Sequence, residues 1–170
     1  MSYIGQSVKR MEAPRLVTGT GSFVGDIKLP GMLHAAVLRS PYAHARVQAV
    51  DTASARNLPG VVAVLTGADI TGVLPDIPTR PMVGERAVDV LHAPEHPVLA
   101  KGKVCYVGQP VAVVVAQDPY VARDGVELIT VDYHPLSPVL DPFEAVQEAA
   151  PIIHEALGTN VVMSFRQQAG

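Results

Sequence analysis

Lys103 to Ala116 reads KVCYVGQPVAVVVA, and this stretch decides the fold. Two apolar runs, Val104 to Val107 and Val111 to Ala116, flank Gly108, Gln109 and Pro110. Short runs rich in β-branched residues and bounded by Gly and Pro read as buried strands. Pro110 cannot donate to a ladder, so the chain bends or leaves the sheet there. Val111 to Ala116 carries no polar residue at either parity, which is the pattern of a central strand covered on both faces.

Working outward, Met32 to Arg39 reads as a strand that Pro41 interrupts. Arg46 to Val50 reads as the next, with Val47 and Ala49 on one face and Gln48 and Val50 on the other. Asp51 or Thr52 then caps a short helix that ends at Pro59-Gly60, and Val61 to Leu65 follows as a strand. After the central strand, Asp118-Pro119 supplies an N-cap with proline at the first helical position, opening a helix to about Leu128. Gly125 lies inside that helix and weakens it by about 1 kcal/mol unless it permits close packing. Ile129, Val131 and Tyr133 alternate inward against outward Thr130, Asp132 and His134. Asp141-Pro142 repeats the cap, with Glu144 at the capping-box position. Strand, short helix and strand in close succession define an α+β layer.

Gly67 to Pro97 holds five prolines and reads as an irregular loop, a length that is usually functional or partner-contacting inside a compact domain. In Gly19 to Pro30 the glycines punctuate one short strand around Phe23. They do not make a dinucleotide fingerprint, because Val24 stands at the third glycine position.

Composition narrows the function classes. A chain of 170 residues suits one domain with its own core. Net charge is -3, so there is no basic footprint for nucleic acid or anionic lipid. One cysteine rules out an internal disulfide framework. No apolar run approaches the ~20 residues of a membrane span, and MSYIGQSVKR lacks the apolar region of a signal peptide, so the expected location is the cytoplasm. Charged residues make up 17%, against a typical ~25%. That deficit predicts apolar surface covered by a partner.

Several segments together resemble the N-terminal α/β hammerhead domain of molybdenum hydroxylase large subunits, the aldehyde oxidase and xanthine dehydrogenase superfamily. The similarity is greatest to large chains of the carbon monoxide dehydrogenase type. The segments are RLVTGTGSFVGDIKLPGMLHAAVLRSPYAHARV (Arg15 to Val47), LPGVVAVLTGADI (Leu58 to Ile70), CYVGQPVAVVVAQDPYVARDGVELITVDY (Cys105 to Tyr133), LDPFEA (Leu140 to Ala145) and the surroundings of His154-Glu155. The resemblance implies a curved mixed β-sheet with two or three short helices. It divides the chain into an arm over 1–14, the hammerhead domain over 15–158, and over 159–170 the start of a strand leading to a molybdopterin-binding domain. It further implies a parent oxidoreductase with a molybdenum centre holding molybdopterin, and iron-sulfur clusters and FAD on partner subunits. This chain is then a structural domain that binds no cofactor and is inactive alone. The family's cofactor-contacting motifs and catalytic glutamate lie beyond residue 170. Where relatives commonly have Glu after Val-Asp-Tyr, this chain has His134.

A different class of function is a free-standing adaptor or carrier-like module of barrel-sandwich type. A carrier needs a lysine at a hairpin tip, whereas Lys101 and Lys103 precede the strand. A split subunit or a shortened gene product is a third reading.

Candidate site residues have competing structural explanations. Cys105 in an apolar strand behaves as a small hydrophobe with a raised pKa. His92 and His96 have the spacing of a helical metal pair, but Pro94 and Pro97 deny the helix. His34 and His44 can hydrogen-bond across a junction. Asp118 and Asp141 are caps. His154-Glu155 is a single pair with little specificity. Arg39, Arg46 and Arg123 suit interdomain ion pairs or an ordinary surface. The expectation is therefore no catalytic, cofactor-binding or metal residue in this chain.

Overall fold

The structure, a computed structural model, describes residues 4–78, 88–92 and 94–165. The chain forms two units, Met1–Met32 and Leu33–Gly170.

In the first unit, helix α1 (Ala13–Val17) has Pro14 in its first turn, a residue already set for that conformation. The Thr18 hydroxyl closes it by donating to the Pro14 carbonyl at 2.8 Å. The strand expected around Phe23 is a 3-10 turn, Val24–Asp26. The Phe23 N–H is taken by the Asp26 carboxylate at 2.9 Å, so it cannot serve a ladder. None of residues 4–32 is buried.

The second unit carries β1 (His34–Arg39), β2 (Ala45–Asp51), α2 (Ala53–Arg56), β3 (Val61–Thr66), α3 (Gly67–Ile70), β4 (Val88–Leu91) and β5 (Lys103–Val104). β6 (Pro110–Ala116), α4 (Pro119–Glu127), β7 (Thr130–Pro135), α5 (Pro142–Ala145) and β8 (Met163–Phe165) follow. Among the described residues the strands form two three-stranded sheets, β1-β6-β3 and β5-β2-β7, and a two-stranded ladder, β4-β8. The pairings are antiparallel throughout. This is an α+β architecture in which the α2, α4 and α5 helices stand where the cap signals put them. α1 and α3 are short helices not expected from the sequence; α3 is capped by Asp69, whose carboxylate accepts the Thr66 N–H at 2.7 Å.

β6 is the central strand of its sheet, as its composition requires. Ala112, Val114 and Ala116 are fully buried, and Ala112 and Val114 form a core beneath α4 with Ala55, Val64 and Ile129. The Asp118 carboxylate caps α4 by accepting from Tyr120 and Val121 N–H at 2.7 and 3.3 Å. Gly125 is the close-packing case: a Cβ there would stand 2.8 Å from Val114 Cγ1. Asp51, rather than Thr52, caps α2 by accepting from Ala53 N–H at 2.9 Å. A second core joins Ala45, Ala100, Val104 and Val111.

Three expectations change. The run Val104 to Val107 is strand only at Lys103–Val104, because Gln109 Oε1 accepts the Cys105 N–H at 2.7 Å and ends the ladder. Tyr106 and Val107 are exposed in the resulting turn, where Gly108 has φ +87°. In β2 the register shifts between Val47 and Ala49, so Val47 and Val50 both face inward while Ala49 is exposed. A β-bulge inserts one residue and thereby reverses the alternation beyond it. The irregular stretch Gly67 to Pro97 contains α3 and β4, whose partner β8 is some seventy residues further on and invisible to local pattern. Pro81 and Arg166, part of the expected loop and of the expected last strand, lie outside the described residues.

Candidate functional site

The sharpest concentration of polar chemistry is a cleft of about 280 Å³ beside the Cys105 turn, lined among others by His96, Lys101, Lys103, Cys105, Gln109 and His154. β5 delivers Lys103 and the Gln109-closed turn holds Cys105. His154 arrives from the segment before the 3-10 turn Glu155–Leu157.

Lys103 ties the cleft together. Its Nζ donates to the Ile153 carbonyl at 2.6 Å and to Glu155 Oε2 at 2.9 Å. Arg46 Nη2 reaches the other oxygen of Glu155 at 3.8 Å. The hydrogen bond and charge of Lys103 hold the Glu155 carboxyl below the usual carboxylate range. Lys101 Nζ pairs with Asp76 Oδ1 at 2.6 Å. Burial pushes the Cys105 thiol up, against the opposing pull of Lys103. Burial, with Lys103 and His44 nearby, pushes His154 down and favours the neutral imidazole.

The other sequence candidates are dispersed. His44 is buried, and its Nδ1 donates to the Ser137 carbonyl at 2.8 Å while its own carbonyl accepts Leu136 N–H at 2.9 Å. Its buried Nε2 has no partner among the described residues. His34 sits opposite Ala116 at the start of β1 and does not meet His44. His92 N–H bonds the Val162 carbonyl at 2.8 Å. Neither His92 nor His96 is in a helix. The Asp141 carboxylate accepts from Phe143 and Glu144 N–H at 2.6 and 3.2 Å, the capping role expected. Arg39 donates to the Gly108 carbonyl at 2.9 Å, and Arg123 lines a shallow groove beside β1. His134 faces Arg46 across the β2-β7 pair.

Sequence reasoning missed Gln109 and Ser40. Gln109 is buried and clamps the turn; its signal was one amide set between Gly and Pro in an apolar run. Ser40, also buried, engages the Tyr42 backbone in both directions at 3.0 Å. The buried Tyr133 hydroxyl faces Ser40 without making a hydrogen bond among the described residues, and its ring packs on Tyr42 with centroids 5.1 Å apart.

Among the described residues no three His, Cys, Asp or Glu side chains converge as a metal-binding group. With burial pushing the Cys105 thiol up and Lys101 and Lys103 already in ion pairs, the cleft does not fit a resident molybdenum centre or its pterin.

The strands and helices define an α+β domain built on antiparallel sheets. The chain belongs to the family described as aldehyde oxidase and xanthine dehydrogenase, a/b hammerhead domain, which matches residues 18–137. It is 46% identical over 153 residues to the carbon monoxide dehydrogenase large chain of Afipia carboxidovorans, covering 89% of this chain and 18% of that one. The crystal structure of quinoline 2-oxidoreductase from Pseudomonas putida 86 superposes with a TM-score of 0.80 at 41% identity, covering 95% of this chain and 20% of the other. That of a Cu,Mo-CO dehydrogenase does so with a TM-score of 0.74 at 41% identity, covering 93% and 19%. The chain thus spans about a fifth of the length of the relatives it matches. No helix among the described residues is long and apolar enough to cross a membrane.

Proposed function

We propose that this chain is the structural hammerhead domain of a cytoplasmic molybdenum hydroxylase large subunit and has no turnover of its own. In this reading 1–14 is an arm, 15–158 the domain, and 159–170 the strand that leads to the molybdopterin-binding domain. The parent enzyme oxidises or hydroxylates its substrate at a molybdenum centre with molybdopterin, and passes electrons to iron-sulfur clusters and FAD on partner subunits. The observation that carries it is the match of 89% of this chain to 18% of a carbon monoxide dehydrogenase large chain. One domain of a larger catalytic subunit is the natural meaning of that ratio.

Lys101 and Lys103, which precede the strand where a carrier would need a lysine at the hairpin tip, are moreover held in ion pairs with Asp76 and Glu155. That favours the structural reading over the carrier. The test is affinity purification of the tagged chain from its native host, with mass spectrometry and metal analysis of what accompanies it. Recovery of a large molybdenum-containing chain supports the proposal. Molybdenum-dependent turnover by the purified chain alone overturns it, and a biotin or lipoate mass shift establishes the carrier.

A further inference from the structure

We infer that the outer face of the β1-β6-β3 sheet is the surface on which the cofactor-binding part of a large subunit packs. This rests on the reading of the chain as one domain of such a subunit.

Register fixes the face. Val37, Val113 and Leu65 form one row across the sheet, and Ala35, Val115 and Ala63 the next. Directly paired residues project to the same side, so these six side chains share a face. The opposite face, with Ala112, Val114 and Ala116, is closed by α4 and fully buried. On the outer face Val37 is 36% exposed and Leu65 39%, and Val113 and Val115 are only half-buried.

An antiparallel sheet with one side in water alternates apolar with polar residues. Here these two rows hold no polar side chain, and the next outward residue of β1, Arg39, turns its guanidinium to the Gly108 carbonyl at 2.9 Å. β6 was composed for cover on both faces, and among the described residues of the second unit α4 supplies cover on one. The charged fraction of 17% points the same way, to apolar area that something else buries. The occupant follows from length: the matched quinoline 2-oxidoreductase contains nearly all of this chain as 20% of a longer one, so four-fifths of such a subunit is available to close the face.

The test compares three versions of the full-length tagged chain in the native host: wild type, Val37→Lys with Leu65→Lys, and Val107→Lys. Val107 is exposed in the Cys105 turn, outside these two rows, and serves as the control. Circular dichroism establishes that each is folded; if the double lysine variant is not, Val37→Ser with Leu65→Gln replaces it. Wild type and Val107→Lys are expected to retain a large molybdenum-containing chain, identified by mass spectrometry and metal content, and the double variant to lose at least tenfold of it. Equal retention by the folded double variant overturns the face assignment and leaves the domain reading standing. Failure of wild type to retain any such chain overturns both. A wild-type homodimer that the double variant splits assigns the face to a second copy instead, and overturns the inference.

Discussion

Gly125 in α4 approaches Val114 in β6 so closely that a Cβ at Gly125 would stand 2.8 Å from Val114 Cγ1. Val114 is fully buried at the centre of its sheet, so it has nowhere to retreat. On propensity alone, Gly125→Ala would stabilise the helix by about 1 kcal/mol. Overpacking a closed core costs about 1–3 kcal/mol, and here it is the larger effect. Gly125→Ala is expected to lower the midpoint of urea unfolding; a raised midpoint would show that α4 can shift outward.

Gly67 presents a harder obstacle, because a Cβ there would collide with the Ala100 carbonyl. A backbone oxygen between α3 and the buried Leu99-Ala100 segment cannot rotate away as a side chain can. Gly67→Ala is expected to destabilise more than Gly125→Ala. Thermal melts of the two variants side by side check the order.

The Asp118 cap predicts a graded series. Removing the carboxylate that accepts from Tyr120 and Val121 N–H costs about 1 kcal/mol, so Asp118→Ala should lower stability by that order. Asp118→Asn keeps an acceptor and should stay close to wild type. Denaturant titration separates the two.

This cap shows why much of the fold was legible. Asp118-Pro119, Asp141-Pro142 and the all-apolar β6 are local signals whose physics is contained within a few residues. The β7 alternation from Thr130 to Tyr133 was readable for the same reason. The bulge near Gln48, the pairing of β4 with β8 and the early end of β5 were not. Each depends on a contact distant in sequence or on a side chain taking a ladder donor, as Gln109 does at Cys105. The site was legible only in parts: Cys105 was placed among apolar neighbours, but nothing local revealed that Lys103 would bring His154 and Glu155 beside it.

The raised Cys105 pKa predicts a slow thiol. Desolvation disfavours the thiolate, which is the reactive form. At pH 7.5 the folded protein should react with an aromatic disulfide reagent more slowly than the same protein in denaturant. Reaction in the folded state at the denatured rate would mean that the cleft beside Cys105 is open enough to hydrate the sulfur.

Three groups near or below neutrality act on stability with one sign. His154 is pushed down by burial first, then by Lys103 and His44. Asp69 is lowered by hydrogen bonds from Thr66, and Glu155 by Lys103. For each, the unfolded chain binds the proton more readily, so stability is present above the unfolded pKa and lost as pH falls through the folded one. The unfolded values are about 6.5 for His, 3.9 for Asp and 4.3 for Glu. Stability should therefore begin to fall below about pH 6.5 through His154, and again below about pH 4 through the two carboxylates. His154→Gln should flatten the upper step, and Glu155→Gln should flatten part of the lower one. Unfolding midpoints from pH 8 to pH 3 measure both, and an upper step that survives in His154→Gln would assign it to another histidine.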